Sequence, residues 1–124
     1  MKSAPYIQPW SPVIETYYRY EIQPVDDGVR TNIQAAHIQE EALNVRKLKC
    51  ADFYNAVECK TLILRAPKGL LSQADILLPE SVIDNMMTAI PRAERFDVSG
   101  VNHYGIVFQP QAERDQALLD FLAA

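Results

Sequence analysis

Glycine is scarce in this sequence, and its scarcity excludes several kinds of site. Only four of the 124 residues are glycine, and no two of them bracket a serine as G-x-S-x-G. That motif exposes a serine nucleophile on a sharp strand-to-helix turn, so we expect no such nucleophile within this chain. The glycine-rich loops that bind dinucleotides and phosphates are also absent from the sequence. We therefore expect no cofactor.

Cysteine is equally rare, which argues against a metal or redox centre. The chain has two cysteines, Cys50 and Cys59, which form no C-x-x-C pair and have no histidine cluster beside them. Zinc sites and disulfide-exchange sites need closely spaced groups of that kind. We expect two free thiols, the default state in a reducing cytoplasm, and no metal site.

Basic runs and long apolar runs are missing as well. The net charge of −4 and the isoelectric point near 5.1 argue against a nucleic acid or an anionic membrane as partner. No apolar run approaches the roughly 20 residues that a membrane-spanning helix needs. The first residues, Met1 to Pro5, lack the apolar centre of a secretory signal. The sequence thus predicts a cytoplasmic protein with no membrane partner.

What remains is the composition of an ordinary globular protein, 48% apolar and 23% charged, with room for one modest core. Residues 1–58 predict a mainly helical segment, in which Ser11-Pro12 is a typical helix start. The elements predicted there are a helix through Tyr20, a turn over residues 23–28 and a second helix from about residue 31 to residue 49.

Residues 59–124 predict alternating strands and helices. The run Thr61–Leu64 is apolar and partly β-branched, which is typical of a strand buried on both faces. The later elements are a helix between Pro79 and Pro91, a strand over residues 95–98 and a last helix over residues 110–124. This order predicts two parallel strands joined by a right-handed crossover. Ligands bind beyond the carboxyl ends of such strands, which indicates the loops at residues 65–75 and 100–104.

His103 is the candidate catalytic residue of the second loop. It belongs to the triplet Asn102-His103-Tyr104, which follows Gly100 and is expected to lie on a loop between the last strand and the final helix. Histidine side chains titrate near neutral pH and serve as general acids and bases. The alternative is a surface or capping histidine. His37, in the middle of the second predicted helix, is expected to have no special role.

Several segments of the chain, in order, resemble the α/β-hydrolase fold. CKTLILRA, from Cys59 to Ala66, is similar to the penultimate strand of that fold, and residues 90–100 are similar to its last strand. The triplet containing His103 falls where the family has its catalytic histidine, and residues 116–122 resemble its closing helix. Residues 18–30 look like part of a cap region. The matches cover only the C-terminal part of the fold.

The resemblance implies a fold class and a chemistry. The expected fold is α/β and partially α/β-hydrolase-like, with short parallel strands and crossover helices in residues 59–124 after a helical, cap-like segment in residues 1–58. In an intact enzyme of this kind His103 would take the proton of the nucleophile and return it to the leaving group during ester hydrolysis. Asp75, the first carboxylate after the penultimate strand, is the candidate acid, and the alternative is a solvated loop aspartate.

Three hypotheses remain open at this point. In the first, the chain is the C-terminal portion of an esterase-like hydrolase and is inactive alone. In the second, it is a binding or assembly module derived from that fold. In the third, it is an unrelated small α/β domain in which His103 is structural. Two short strands leave sheet edges uncovered, and such edges recruit other chains. We therefore expect a homodimer or a partner that supplies an N-terminal hydrolase half. An ester or an acyl group is the expected small-molecule ligand.

Overall fold

The computed structural model describes residues 3–124 and has a mixed α/β structure with two sheets of two strands each. Its contacts divide the chain into two units. One unit is Trp10–Cys50, and the other combines the residues up to Pro9 with Ala51–Ala124. The first residues thus belong with the C-terminal part. The division of one compact domain into residues 1–58 and 59–124 stays a prediction.

The unit Trp10–Cys50 contains two helices and a hairpin. Helix α1 (Pro12–Tyr20) begins as predicted, because the Ser11 side chain accepts a hydrogen bond from the Ile14 N–H. Instead of a simple turn, residues 22–31 form an antiparallel hairpin of β1 (Ile22–Val25) and β2 (Gly28–Thr31). Helix α2 (Ala35–Lys47) follows, so the predicted second helix is confirmed with a later start.

The other unit is built on a parallel pair of strands, as the sequence predicted. Strand β3 (Thr61–Arg65) and strand β4 (Ala93–Asp97) pair in parallel, with Thr61 opposite Ala93 and Arg65 opposite Asp97. Helix α3 (Glu80–Ala89) connects them; Pro79 lies at its N-cap, and the helix ends before Pro91 because proline cannot continue it. Helix α5 (Ala112–Ala123) is the last element.

Two small apolar clusters form the core of this unit. Ile63, Ile83 and Ile90 pack together between the sheet and α3, and Val98, Val101 and Ile106 pack beyond the end of β4. The expectation that β3 is buried on both faces was wrong, because only Ile63 and Arg65 of that strand are fully buried. A sheet of two strands leaves the remaining strand residues half-covered.

The segment after β4 differs from the predicted loop. Helix α4 (His103–Phe108) begins directly after Asn102, so helical structure resumes well before Pro110. The Asn102 carboxamide caps this helix: its oxygen accepts the Gly105 N–H at 2.9 Å, and its nitrogen donates to the Tyr6 carbonyl at 2.9 Å. Gly100 adopts a φ of +78°, which turns the chain from the strand toward this cap.

The loop after β3 depends on close packing at Gly69. A Cβ atom on residue 69 would overlap the carbonyl oxygen of Ser72 and the carboxylate of Asp75. We therefore expect Gly69→Ala to lower the free energy of unfolding by about 1–3 kcal/mol, the range for overpacked positions. Urea unfolding measures the change. The matched control is Gly28→Ala, because nothing lies within 4 Å of that added Cβ; equal effects of the two substitutions would contradict the prediction.

Candidate functional site

The loops that follow β3 and β4 meet at the carboxyl edge of the sheet. The Lys68 N–H donates to the Val101 carbonyl at 3.2 Å, and Lys68 and Asn102 form an isolated parallel bridge beyond the two strands. Both loops were expected at this edge because the strands are parallel. The short bridge keeps the start of α4 beside the loop that follows β3.

His103 is the first residue of α4 and has an exposed side chain. Its imidazole contacts the Tyr104 ring edge-on, with ring centroids 6.1 Å apart. Tyr104 is itself flanked by Tyr6 at 5.4 Å and Phe108 at 6.4 Å. Within residues 3–124 no side chain forms a hydrogen bond with the His103 imidazole. Imidazole nitrogens are of the chemical type that accepts and donates protons in general acid–base catalysis.

A cleft of about 250 Å³ lies beside His103. The residues that line it come from the ends of β3 and its following loop and from α4. They are Leu64, Arg65, Ala66, Leu77, Leu78, His103 and Ile106. Five of the seven are apolar. The cleft thus combines one potential acid–base group with an apolar wall.

Asp75 belongs to a different arrangement. Its carboxylate accepts the N–H groups of Leu71 at 2.8 Å and Ser72 at 3.2 Å, and it forms a capping box with Ser72 for the 3-10 helix Gln73–Asp75. The Leu71 hydrogen bond is the main cause that lowers the pKa of Asp75. In the described chain no hydrogen bond or ion pair joins Asp75 to His103. Its role as the acid partner stays a prediction.

An ion-pair cluster behind the cleft was missed by the sequence analysis. Arg65 is only 6% exposed, and its guanidinium donates to the Leu78 carbonyl at 2.8 Å and to Asp97 at 2.9 Å, and pairs with Glu80 at 3.1 Å. Arg95 donates to Asp97 at 2.7 and 2.8 Å and to Glu80 at 2.5 Å. The Asp84 carboxylate also pairs with Arg95, at 3.8 Å. Two cations and three carboxylates thus fix the end of β3 to β4 and to α3.

Two carboxylates of this cluster, Asp97 and Glu80, have lowered pKa values. The hydrogen bond from Arg95 lowers the pKa of Asp97 most, and that from Arg65 adds to the effect. The Arg95 hydrogen bond likewise lowers the pKa of Glu80. The parallel register places Arg65, the last residue of β3, opposite Asp97, the last residue of β4. The opposite charges of these two residues are visible in the sequence, but their pairing depends on the register.

A larger groove of about 880 Å³ lies between α5 and the sheet. It contains apolar residues such as Leu62, Phe96 and Phe121, and the Lys60 ammonium lies 4.7 Å from the centre of the Phe121 ring. None of its described lining residues is a histidine, cysteine, serine, threonine or tyrosine. The groove is lined by the carboxylates of Glu94, Glu113 and Asp120, whereas His103 lines the smaller cleft. We take the smaller cleft as the candidate functional site because it lies at the carboxyl edge of the parallel strands, where a ligand is expected.

The described residues include other side chains with reactive or metal-ligating groups. No group of three or more histidine, cysteine or acidic side chains there is close enough to hold a metal ion. Cys50 and Cys59 are both exposed free thiols, and His37 lies exposed on α2. Among the helices of residues 3–124, none combines the length and apolarity that crossing a bilayer requires.

Comparison with known proteins adds no assignment. No family model, no curated protein and no solved structure matches this chain.

Proposed function

We propose that this chain carries the histidine portion of an α/β-hydrolase-like active site and takes part in ester hydrolysis when a nucleophile is supplied from outside it. The observation that carries the proposal is the position of His103. Its exposed imidazole lies beyond the carboxyl ends of two parallel strands and lines an apolar cleft. This is the edge at which α/β sheets bind ligands.

His103 would move protons in both halves of the reaction. Its unprotonated ring nitrogen accepts the hydroxyl proton of the nucleophile as that oxygen attacks the ester carbonyl. The resulting imidazolium gives the proton to the leaving alkoxide oxygen, so an alcohol departs and an acyl-enzyme remains. A water then loses its proton to His103, attacks the acyl group and releases the acid. The nucleophile recovers its proton from the imidazolium.

The proposal takes the nucleophile from another segment because the two serines in the segments that follow β3 and β4, Ser72 and Ser99, are otherwise placed. Ser72 accepts the Ala74 N–H and caps a 3-10 helix. Ser99 lies in the turn after β4, before the glycine at position 100. Neither lies on the sharp strand-to-helix turn that activates a hydrolase serine. The oxyanion hole, which depends on amides near that turn, would come from the same external segment.

The open sheet supports the need for a partner. In the described residues β3 and β4 pair only with each other, so each strand has an outer edge without a strand neighbour. Unpaired edges are sites of strand addition. They favour docking of an N-terminal hydrolase half, and they equally support the second candidate function, a homodimeric assembly module without turnover.

The test compares two forms of the protein with short-chain aryl esters as substrates. The first form is this chain alone, for which we expect no saturable turnover above background. The second is this chain extended by the residues encoded upstream of Met1, for which we expect a G-x-S-x-G motif and saturable turnover. Saturable turnover by the chain alone, lost in His103→Ala, would contradict the external nucleophile.

The extended form also separates the two candidate functions. Two results together would overturn the hydrolase proposal and favour the assembly module. They are an upstream sequence without a nucleophile motif and a stable dimer of the inactive chain in analytical ultracentrifugation. A monomer that becomes active only with the upstream segment would overturn the module.

A further inference from the structure

The cleft beside His103 has an apolar wall with a defined composition. Its apolar lining residues are Leu64, Ala66, Leu77, Leu78 and Ile106. Leu64 and Ala66 also pack against the buried cluster of Val98, Val101 and Ile106, so the inner wall rests on the core. Leu77 is 58% exposed and forms the outer rim. Binding of an apolar ligand against such a wall is favourable, because both surfaces are removed from water.

Among the described residues that line the cleft, Arg65 is the one with a permanent positive charge, and this charge is already paired. Each of the three guanidinium nitrogens of Arg65 has an oxygen partner, on Leu78, Asp97 or Glu80. The charges of Arg65 and Arg95 are offset by three carboxylates of the same cluster, those of Asp97, Glu80 and Asp84. Binding a carboxylate or phosphate in the cleft would require Arg65 to leave these partners or would bring the anion toward two carboxylates.

We infer that this cleft binds an uncharged linear alkyl chain, which would be the acyl part of the ester in the proposed reaction. The inference rests on the proposed function for the identity of the chain as an acyl group. The alkyl group lies along the leucine wall, and its carbonyl end lies at His103. The substrate class is therefore an ester of an unsubstituted aliphatic acid, without a charge on its acyl part.

The size of the cleft limits the length of that chain. An apolar cavity of about 150 Å³ holds benzene, which has six carbon atoms. On the same scale the volume of about 250 Å³ holds roughly ten non-hydrogen atoms. Each buried methylene contributes about 0.8 kcal/mol, which equals a roughly fourfold change in affinity. Affinity should therefore rise with chain length and then stop rising when the cleft is full.

Binding by the chain itself tests this inference without any catalysis. The probes are the linear alcohols from 1-butanol to 1-dodecanol and, as the charged counterpart, octanoate at pH 7. Chemical shifts of the His103 ring and of the leucine methyl groups report binding. We expect the Kd of the alcohols to fall about fourfold per added methylene and to level off near nine carbons. The Kd of octanoate should be at least tenfold higher than that of 1-octanol.

Two matched variants locate the binding site. Leu77→Ser removes part of the wall at an exposed position and is expected to weaken 1-octanol binding at least tenfold. Leu119→Ser makes the same change at a position that is 62% exposed and does not line the cleft, and it should leave Kd unchanged. Amide spectra of both variants check that each keeps the fold.

The outcomes separate this inference from the proposed function. The alkyl site would be overturned if His103 showed no saturable shifts, if octanoate bound more tightly than 1-octanol, or if Kd kept falling up to twelve carbons. Equal effects of the two variants would also overturn it. Specific alcohol binding by a chain whose upstream-extended form shows no esterase activity would support the alkyl site and overturn the hydrolase proposal alone.

Discussion

Replacing His103 with alanine in the upstream-extended protein is expected to lower kcat/KM for a short-chain aryl ester by roughly 10²–10⁴-fold, the range for removal of a positioned general acid–base group. The imidazole is exposed at the cleft and has no hydrogen-bond partner in the described residues, so its removal leaves no buried polar group unsatisfied. The loss should therefore lie in the chemical step, with kcat reduced and the free energy of unfolding nearly unchanged.

His37→Ala provides the matched control for the His103 substitution. His37 is also a histidine on a helix with an exposed side chain, but it lies on α2 and does not line the cleft. We expect its kcat/KM to equal that of the unsubstituted protein. If His103→Ala kept full activity, or if both substitutions lowered activity equally, His103 would not be the acid–base group.

The second large effect concerns the ion-pair cluster at the strand ends. Asp97→Asn removes a carboxylate that accepts hydrogen bonds from both Arg65 and Arg95. Removing one partner of a fully buried ion pair costs about 3–5 kcal/mol, and the one-third exposure of the Asp97 side chain lessens this cost. We expect the free energy of unfolding to fall by about 2–3 kcal/mol, measured by urea unfolding at pH 7.

Glu58→Gln is the control for this substitution, because it neutralises an exposed carboxylate with no ion pair among those of the described residues. It should change the free energy of unfolding by less than about 0.5 kcal/mol. Equal effects of the two substitutions would show that the cluster contributes little to stability.

The pH dependence of unfolding gives an independent check on the same cluster. The hydrogen bond from Arg95 lowers the pKa of Asp97 in the folded state, so the unfolded chain binds the proton more readily. The contribution of Asp97 is therefore complete above about pH 4, the ordinary range for aspartate, and is lost as the pH falls through the lowered pKa. The stability difference between the unsubstituted protein and Asp97→Asn should shrink below pH 4. A difference that stays constant to pH 2 would contradict this account.

Three helix ends could be predicted from the sequence alone. Ser11-Pro12, Pro79 and Pro91 mark helix ends through local chemistry: a serine side chain caps free N–H groups, and proline lacks the N–H needed to continue a helix. The parallel pairing of β3 and β4 was also predictable, because a short strand–helix–strand order allows few other arrangements. These features depend on neighbours in sequence or on general rules of chain connection.

Helix α4 was missed because its start depends on a distant part of the chain. Its six residues are too few for a clear helical pattern. Asn102 is fixed by a hydrogen bond to the carbonyl of Tyr6, and Tyr104 packs on the Tyr6 ring. The sequence therefore located His103 beyond the last strand but assigned it to a loop.

By itself the sequence determined the order β3, α3 and β4, the edge at which chemistry is expected, and the absence of a G-x-S-x-G motif from the printed sequence. Only the tertiary structure decided which groups meet at that edge. Burial of Arg65 requires carboxylates from two other elements within 3.1 Å, and the cleft beside His103 combines side chains separated by tens of residues. Charge pairing and cavity shape depend on distances across the fold, whereas helix caps, proline breaks and strand periodicity act between neighbours along the chain.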